Sequence, residues 1–237
     1  MSILERKKKE GEEYWISLSD MMTALALLFL LIAVIYMLKV KESVKVPQIY
    51  REVTQGLSEA LNKEFEQDFK KWGAVMDKDL TIRFQSPDIL FDINSSNVKD
   101  HFKEILNDFF PRYLNIMMQK QFINNIEEIR IEGHTSSIWT RYTPEDIAYF
   151  KNMELSQERT MNVLEYIFES PQMDLDNKER KWLRRHFRAI GFSSSIPLNS
   201  KGEEAKTKEE EDTKRSQRVE FRVRTNIEEK IEKVINQ

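Results

Sequence analysis

WISLSDMMTALALLFLLIAVIYML, Trp15 to Leu38, carries one acid, Asp20, followed by an apolar run from Met21 to Leu38 that only Thr23 interrupts. Extended back to Trp15, this run is long enough to cross about 30 Å of hydrocarbon as a helix. It predicts a transmembrane helix over 15–38. Tyr14 and Trp15 stand at one boundary and Tyr36 near the other, where amphipathic rings prefer the headgroup level. A cleaved signal peptide, with Arg6 to Lys9 as its basic region, is the competing reading. Against it, the apolar run exceeds the usual ~7–15 residues and no small-residue cleavage site follows.

Asp20 needs compensation, because a carboxylate at the bilayer centre costs on the order of 2.5–3.5 kcal/mol, and less nearer the interface. Helical spacing places Ser17, Thr23 and Ala24 on the same face as Asp20. Such a stripe of small, partly polar groups suits close packing against another helix and access for water. The same residues also form a capping box, Ser17-Leu18-Ser19-Asp20, in which Asp20 would satisfy a helix N-terminus near the interface. Spacing alone leaves the ion-binding acid and the helix cap equally open.

Of the 237 residues, 40% are hydrophobic, enough for a sizeable core outside the membrane. A net charge of −3 against 32% charged residues presents no basic stripe, which argues against a nucleic-acid partner. Cysteine is absent, which excludes disulfides, thiol nucleophiles and Cys-based zinc sites. The six glycines form no phosphate-cradling loop. His101, His134 and His186 lack metal-ligand spacing, and no nucleophile, base and orienting group can be assembled. No metal, organic cofactor or catalytic residue is expected, and the chain reads as a non-enzyme.

After the helix, Val46-Pro47 breaks the pattern, and Tyr50, Leu57, Leu61, Phe65, Phe69 and Trp72 then recur at helical spacing. This is an amphipathic helix, with a stripe expected to pack on the domain or on a second copy. Beyond Gly73, predicted strands at Leu80–Phe84, Ile129–Gly133, Phe187–Gly191 and Arg218–Arg224 alternate with a helical region at Val98–Met118, interrupted or kinked at Pro111, and a helix at Asn152–Phe168. The expected fold class is α+β, with helices packed on one sheet. The run Lys201 to Arg215 has almost no apolar content and reads as a solvated or disordered loop. The organisation expected is a tail over 1–14, the membrane helix over 15–38, a helical linker over 39–78, a folded domain over 79–226 and a tail over 227–237.

Tyr14 to Val34 resembles the start of the MotB and ZorB stator subunits, in which a Trp, an Asp followed by Met and Thr, and a Leu/Phe-rich run open the single helix. Ser19 stands where the flagellar branch usually has Ala. The resemblance implies that Asp20 binds the proton or sodium ion that drives a motor. It also implies a dimer of this chain within a MotA-like (ZorA-type) membrane partner. The Trp15-Ile16-Ser17 start and the basic stretch Lys178 to Arg188 look more like the ZorB branch, of the Zorya anti-phage system, than like flagellar MotB.

Ile131-Glu-Gly-His-Thr135, Asn152-Met-Glu-Leu-Ser156 leading to Arg159, and Arg218-Val-Glu-Phe221 are similar to the three motifs of the OmpA-like peptidoglycan-binding domain. The resemblance implies a peptidoglycan site at Thr135, Ser136, Asn152, Leu155 and Arg159, with Arg159 gripping a carboxylate of the diaminopimelate side chain through two parallel hydrogen bonds. The competing reading makes Arg159 an exposed helix residue paired with an acid such as Glu158. Ser136 replaces the family's Asp, the loop Ser137 to Phe150 lacks its glycine, and Ser216-Gln217 replaces Asn-Arg. Either Glu145 or Asp146 then supplies the missing charge, or binding is weak or altered.

Basic residues flank the helix on both sides, Arg6 to Lys9 against Lys39, Lys41, Lys45 and Arg51, so the positive-inside rule gives a tie. A wall-binding domain breaks it: inner membrane, single pass, N-terminus cytoplasmic and C-terminal domain periplasmic. The function implied is an ion-driven stator subunit anchored to the wall, with a flagellar MotB-type subunit or a passive OmpA-like envelope anchor as alternatives.

Overall fold

The computed structural model describes residues 3–85 and 87–226. The first helix, α1, is Ile3–Trp72, and it has no break at Val46-Pro47, where the sequence predicted one. Within it, Leu18–Val40 is the one stretch of described residues long and apolar enough to span a membrane, and its large side chains are exposed. Trp15 and Tyr36, expected as interfacial anchors, are exposed too. The Tyr14, Ser17 and Tyr50 side chains and the expected C-terminal tail lie outside the described residues.

The chain divides into two units between Ile49 and Tyr50. In the second, the end of α1 is followed by β1 (Ala74–Met76), β2 (Thr81–Phe84), α2 (Pro87–Leu90), α3 (Asp100–Met117), β3 (Ile126–His134), α4 (Glu145–Glu169), α5 (Asn177–His186), β4 (Phe187–Gly191), α6 (Thr213–Ser216) and β5 (Arg218–Thr225). The strands form one sheet in the order β1-β2-β5-β3-β4. All pairs are antiparallel except β3 with β4. A parallel pair needs a long crossover, and α4 and α5 supply it.

Alternation along the strands turns Ile129 and Ile131 of β3, and Val219, Phe221 and Val223 of β5, into the core. There they meet Phe102, Phe109, Phe110 and Tyr113 of α3, all fully buried. The stripe on α1 closes this core: Leu57, Leu61 and Phe65 are fully buried, and Phe65 and Trp72 lie 5.3 and 5.9 Å from Phe109 by ring centroids. Arg112 covers the seam, stacking over Phe65 at 4.8 Å and bonding Glu64, Asp68 and Asp108 at 2.7, 2.9 and 3.0 Å.

Three features differ from the sequence expectation. Helix α3 continues through Pro111, because the apolar residues flanking it bury more than the missing backbone hydrogen bond costs. The charged run Lys201 to Arg215 is structured: Asp212 accepts from the Lys214 and Arg215 backbone N–H groups at 3.0 and 3.1 Å and caps α6. Its side chains satisfy backbone groups instead of hydration alone. The unpredicted α5 is held by a reciprocal capping box between Asp176 and Glu179 at 2.7 and 2.8 Å.

One close approach sets the position of α4. Gly133 and Gly191 are partners across the parallel pair. A Cβ on Gly133 would lie 2.6 Å from the Ser156 carbonyl oxygen, and one on Gly191 would lie 2.5 Å from the Gln157 backbone nitrogen. The absent side chains let α4 rest directly on the sheet, and Gln157 fastens it there by accepting from Gly191 N at 2.8 Å and donating to Ala189 O at 3.2 Å. Gly191→Ala is expected to destabilise the protein by about 1–3 kcal/mol through this overpacking. Thermal unfolding of the detergent-solubilised chain checks it; an unchanged Tm would mean that α4 has room to move.

Candidate functional site

Asn152, Leu155 and Arg159 fall on one face of α4 by their spacing of three and four residues. Asn152 is buried and donates from Nδ2 to Ser136 O at 3.0 Å, fixing the loop that leaves β3. Thr135 N donates to Ser193 O at 2.9 Å. Ser193 is fully buried with a left-handed φ of 52°. Its N–H donates to Ser156 Oγ at 3.0 Å and its Oγ donates to Tyr149 O at 2.7 Å. The Leu-Ser pair of the α4 motif thus has two tasks, Leu155 facing outward to a cleft and Ser156 tying the helix to the end of the sheet.

That cleft, of about 280 Å³, is lined by Thr135, Ser136, Asn152, Leu155 and Arg159 together with Ile93, Asn94, Ile138, Trp139, Thr213 and Gln217. All five site residues expected from the sequence come together there. The other six were missed. Trp139 carried a signal, an aromatic just beyond Gly133-His134-Thr135. Ile93 and Asn94 carried none, because they arrive from a loop distant in sequence.

Arg159 is neither exposed nor paired with Glu158, as the competing reading had it. It is 6% exposed, donates from Nε to Ser95 O at 2.9 Å and from Nη2 to Asp92 O at 3.3 Å, and lies 4.8 Å over the Phe91 ring. The reach of the guanidinium into the remote loop 91–95 buries it. Among the described residues no carboxylate pairs with it, and Nη1 has no protein acceptor. Burial pushes its pKa down to about 10, which leaves it charged at neutral pH. A buried cation without a counter-charge is costly, and an anion entering the cleft relieves that cost.

The neighbouring groups are hydroxyls. Thr135 Oγ1 is buried without a partner, and Ser136 Oγ makes one long contact to Ile138 O at 3.4 Å. Glu145 and Asp146, expected to replace the missing acid, occupy the exposed first turn of α4 and do not line the cleft. There their charges suit the helix N-terminus. Glu211 approaches instead, but its carboxylate accepts from Ser137 N at 2.9 Å and from Ser137 Oγ.

The opposite face of the sheet carries a second charged cluster. Glu132, His134 and Glu220 are buried, with potential metal-ligand atoms within 4.8 Å of one another. Electrostatics argue against a cation there. Glu220 Oε1 already accepts from Arg83 Nε at 2.8 Å and Arg218 Nε at 2.6 Å, and Glu132 Oε2 accepts from Arg222 Nε at 3.1 Å. Burial favours a neutral Glu220, but the Arg218 guanidinium bonded to it holds its pKa well below the usual range. Burial raises that of Glu132. His134 stacks on Phe192 at 5.1 Å and has no hydrogen bond at either ring nitrogen. Its Nε2 is 3.6 Å from Glu220 Oε2, a contact longer than a hydrogen bond. Burial, helped by Arg218 and Arg222, lowers its pKa against the pull of Glu220.

No protein-family model matches the chain. Zorya protein ZorB of Escherichia coli is 42% identical over 238 residues, covering 98% of this chain and 96% of that protein. The chain belongs to the ZorB family. Solved structures similar to this ZorB-family chain include a MotB-like protein from Desulfovibrio vulgaris, with 20% identity, TM-score 0.46 and coverage of 73% of this chain and 93% of that one. Another is the cell wall anchor of the T6SS from Pseudomonas aeruginosa, with 18% identity, TM-score 0.42 and coverage of 70% and 96%. Those overlaps are partial, and membership rests on the ZorB relative alone.

In this ZorB-family domain the lowered pKa of His134 has a pH consequence. An unfolded His takes a proton near its ordinary value of about 6.5, whereas folded His134 does so only at lower pH. The unfolded state therefore binds more protons below about 6.5, and stability falls as pH drops through that window, by up to about 1.4 kcal/mol per pH unit. The Tm of the wild-type chain should fall between about pH 7 and pH 5.5, and His134→Gln should flatten that decline. Parallel curves for the two proteins would assign the slope to other groups.

Proposed function

We propose that this chain is the wall-anchored subunit of an ion-driven stator in Zorya anti-phage defence. One transmembrane helix would place it in the inner membrane with the folded domain in the periplasm. Asp20 takes up and releases a proton or sodium ion inside a ring of a MotA-like, ZorA-type partner, and the helix works as one of a pair. The cleft around Arg159 holds peptidoglycan and gives the complex a fixed point to push against.

The observation that carries the reading is the place of Asp20 in α1. The helix starts at Ile3, well upstream, so Asp20 lies in its interior and caps nothing. Thr23, one turn on, bonds back to Ser19 O at 2.8 Å, and among the described residues Asp20 itself is unbonded and exposed. A titratable acid without a structural task, at one end of a span facing lipid or a partner, supports ion exchange. Protonation removes the cost of the charge, and each charge crossing 100 mV supplies about 2.3 kcal/mol. The partner ring must prefer different conformations in the two protonation states.

Asp20→Asn keeps size and hydrogen-bonding capacity but cannot cycle its charge. It is expected to assemble normally with the partner and to lose phage protection entirely, while Asp20→Glu retains part of it. Plaque assays beside the yield of the purified complex provide the measurement. Full protection by Asp20→Asn at normal expression would leave only a passive tether.

Arg159→Ala tests the anchor separately. Loss of charge-assisted bonds should reduce co-sedimentation with isolated sacculi by about tenfold or more. Because Arg159 also holds loop 91–95, the same change costs stability, about 1–3 kcal/mol. Arg159→Lys, which keeps the charge and loses the fork, should lie between the two. Equal sedimentation of all three proteins would remove the cleft from wall binding.

A further inference from the structure

We propose that the cleft recognises its ligand through a carboxylate alone and does not select for a neighbouring ammonium group. The proposal rests on the wall-binding reading of the cleft and specifies the chemistry that it reads.

Among the residues lining the cleft, Arg159 bears the one formal charge. Among the described residues it has no anionic partner, and its Nη1 has no acceptor. Thr135 Oγ1, 3% exposed by residue and without a partner, adds a hydroxyl that can donate to the same anion. Both features call for negative charge. A charge-matched ammonium subsite would call for an acid in the cleft, none of the lining residues is one, and three acids of the adjoining loops have other partners. The Asp92 carboxylate pairs with Lys99 Nζ at 3.0 Å, while its backbone oxygen serves Arg159. Glu211 is bound through both oxygens to Ser137. Asp212 caps α6. Lys151 lies 5.3 Å over the ring of Trp139, a cleft residue, so the nearby cation that is seen adds positive and not negative charge. Ser136 offers a neutral hydroxyl with a long contact of its own.

The ligand class is therefore a peptide-stem carboxylate whose amine is dispensable. Two carboxylates of a diaminopimelate-containing stem have this chemistry, the one on the side chain and the one at the chain terminus.

The test uses the full chain in detergent and four soluble stem peptides: unmodified, acetylated on the side-chain amine, amidated on the side-chain carboxylate, and amidated at the terminus. Acetylation should change Kd by less than about threefold, whereas one of the two amidations should weaken binding by about tenfold or more and so identify the carboxylate held. Ser136→Asp should restore a preference of about tenfold for the free amine over the acetylated peptide. A loss of about tenfold or more on acetylation, or no loss on either amidation, would overturn the proposal. Sacculus sedimentation of wild type and Arg159→Ala, run alongside, separates the two levels. If sedimentation depends on Arg159 while acetylation abolishes binding, the wall reading stands and the inference fails; if sedimentation ignores Arg159, both fail.

Discussion

The contact between α4 and the parallel strands is the constraint on which the domain's chemistry depends. Gly133 and Gly191 leave no side chain between helix and sheet, so Ser156 and Gln157 meet strand backbone directly. Packing of this kind tolerates almost no displacement. Asn152, Leu155 and Arg159 are consequently held at a set height above the end of the sheet, and the loops 91–95 and 135–139 close around them by accepting hydrogen bonds from Arg159 and Asn152. The cleft is a by-product of how closely the helix sits.

Two kinds of charged group stand out among the described residues. On the polar face of the sheet, β3 and β5 set residues of like sign directly opposite each other, Arg130 with Arg222 and Glu132 with Glu220, and neutralisation comes from the diagonal pair Arg222 to Glu132 and from Arg83, which stands directly opposite Glu220 on β2. That network is self-contained. Asp20 and Arg159 are different, each lacking a partner of opposite sign among the described residues, one on the apolar helix and one in the folded unit. An uncompensated charge in a poorly solvated place costs stability, and on the proposed reading an ion at Asp20 and a wall carboxylate at Arg159 offset that cost.

Much of this was legible in the sequence because the relevant periods are short. Phe187–Gly191 alternates and ends on glycine, and it is a strand over that range. The motif resemblance named Asn152, Leu155 and Arg159 together, and they share a cleft. Other features depend on partners far along the chain. Nothing local to Arg159 announces the carbonyls of Asp92 and Ser95 that bury it. Helix α5, Asn177–His186, buries only Leu183 and is otherwise charged or polar at most positions, so its apolar pattern was too faint beside its capping box. The run Lys201 to Arg215 looked unstructured because it has almost no apolar content, whereas Asp212 and Glu211 bind backbone N–H groups.

The aromatic seam on α1 has a mechanical consequence. Chain entering the domain does so along a helix whose Leu57, Leu61, Phe65, Phe69 and Trp72 are sunk into the core, with Arg112 bridging across. A pull along that helix loads the whole seam in shear, side chain by side chain in parallel, and no single residue takes it first. A tether made this way yields only when the core itself yields, and its strength is set by the same packing that makes the domain fold.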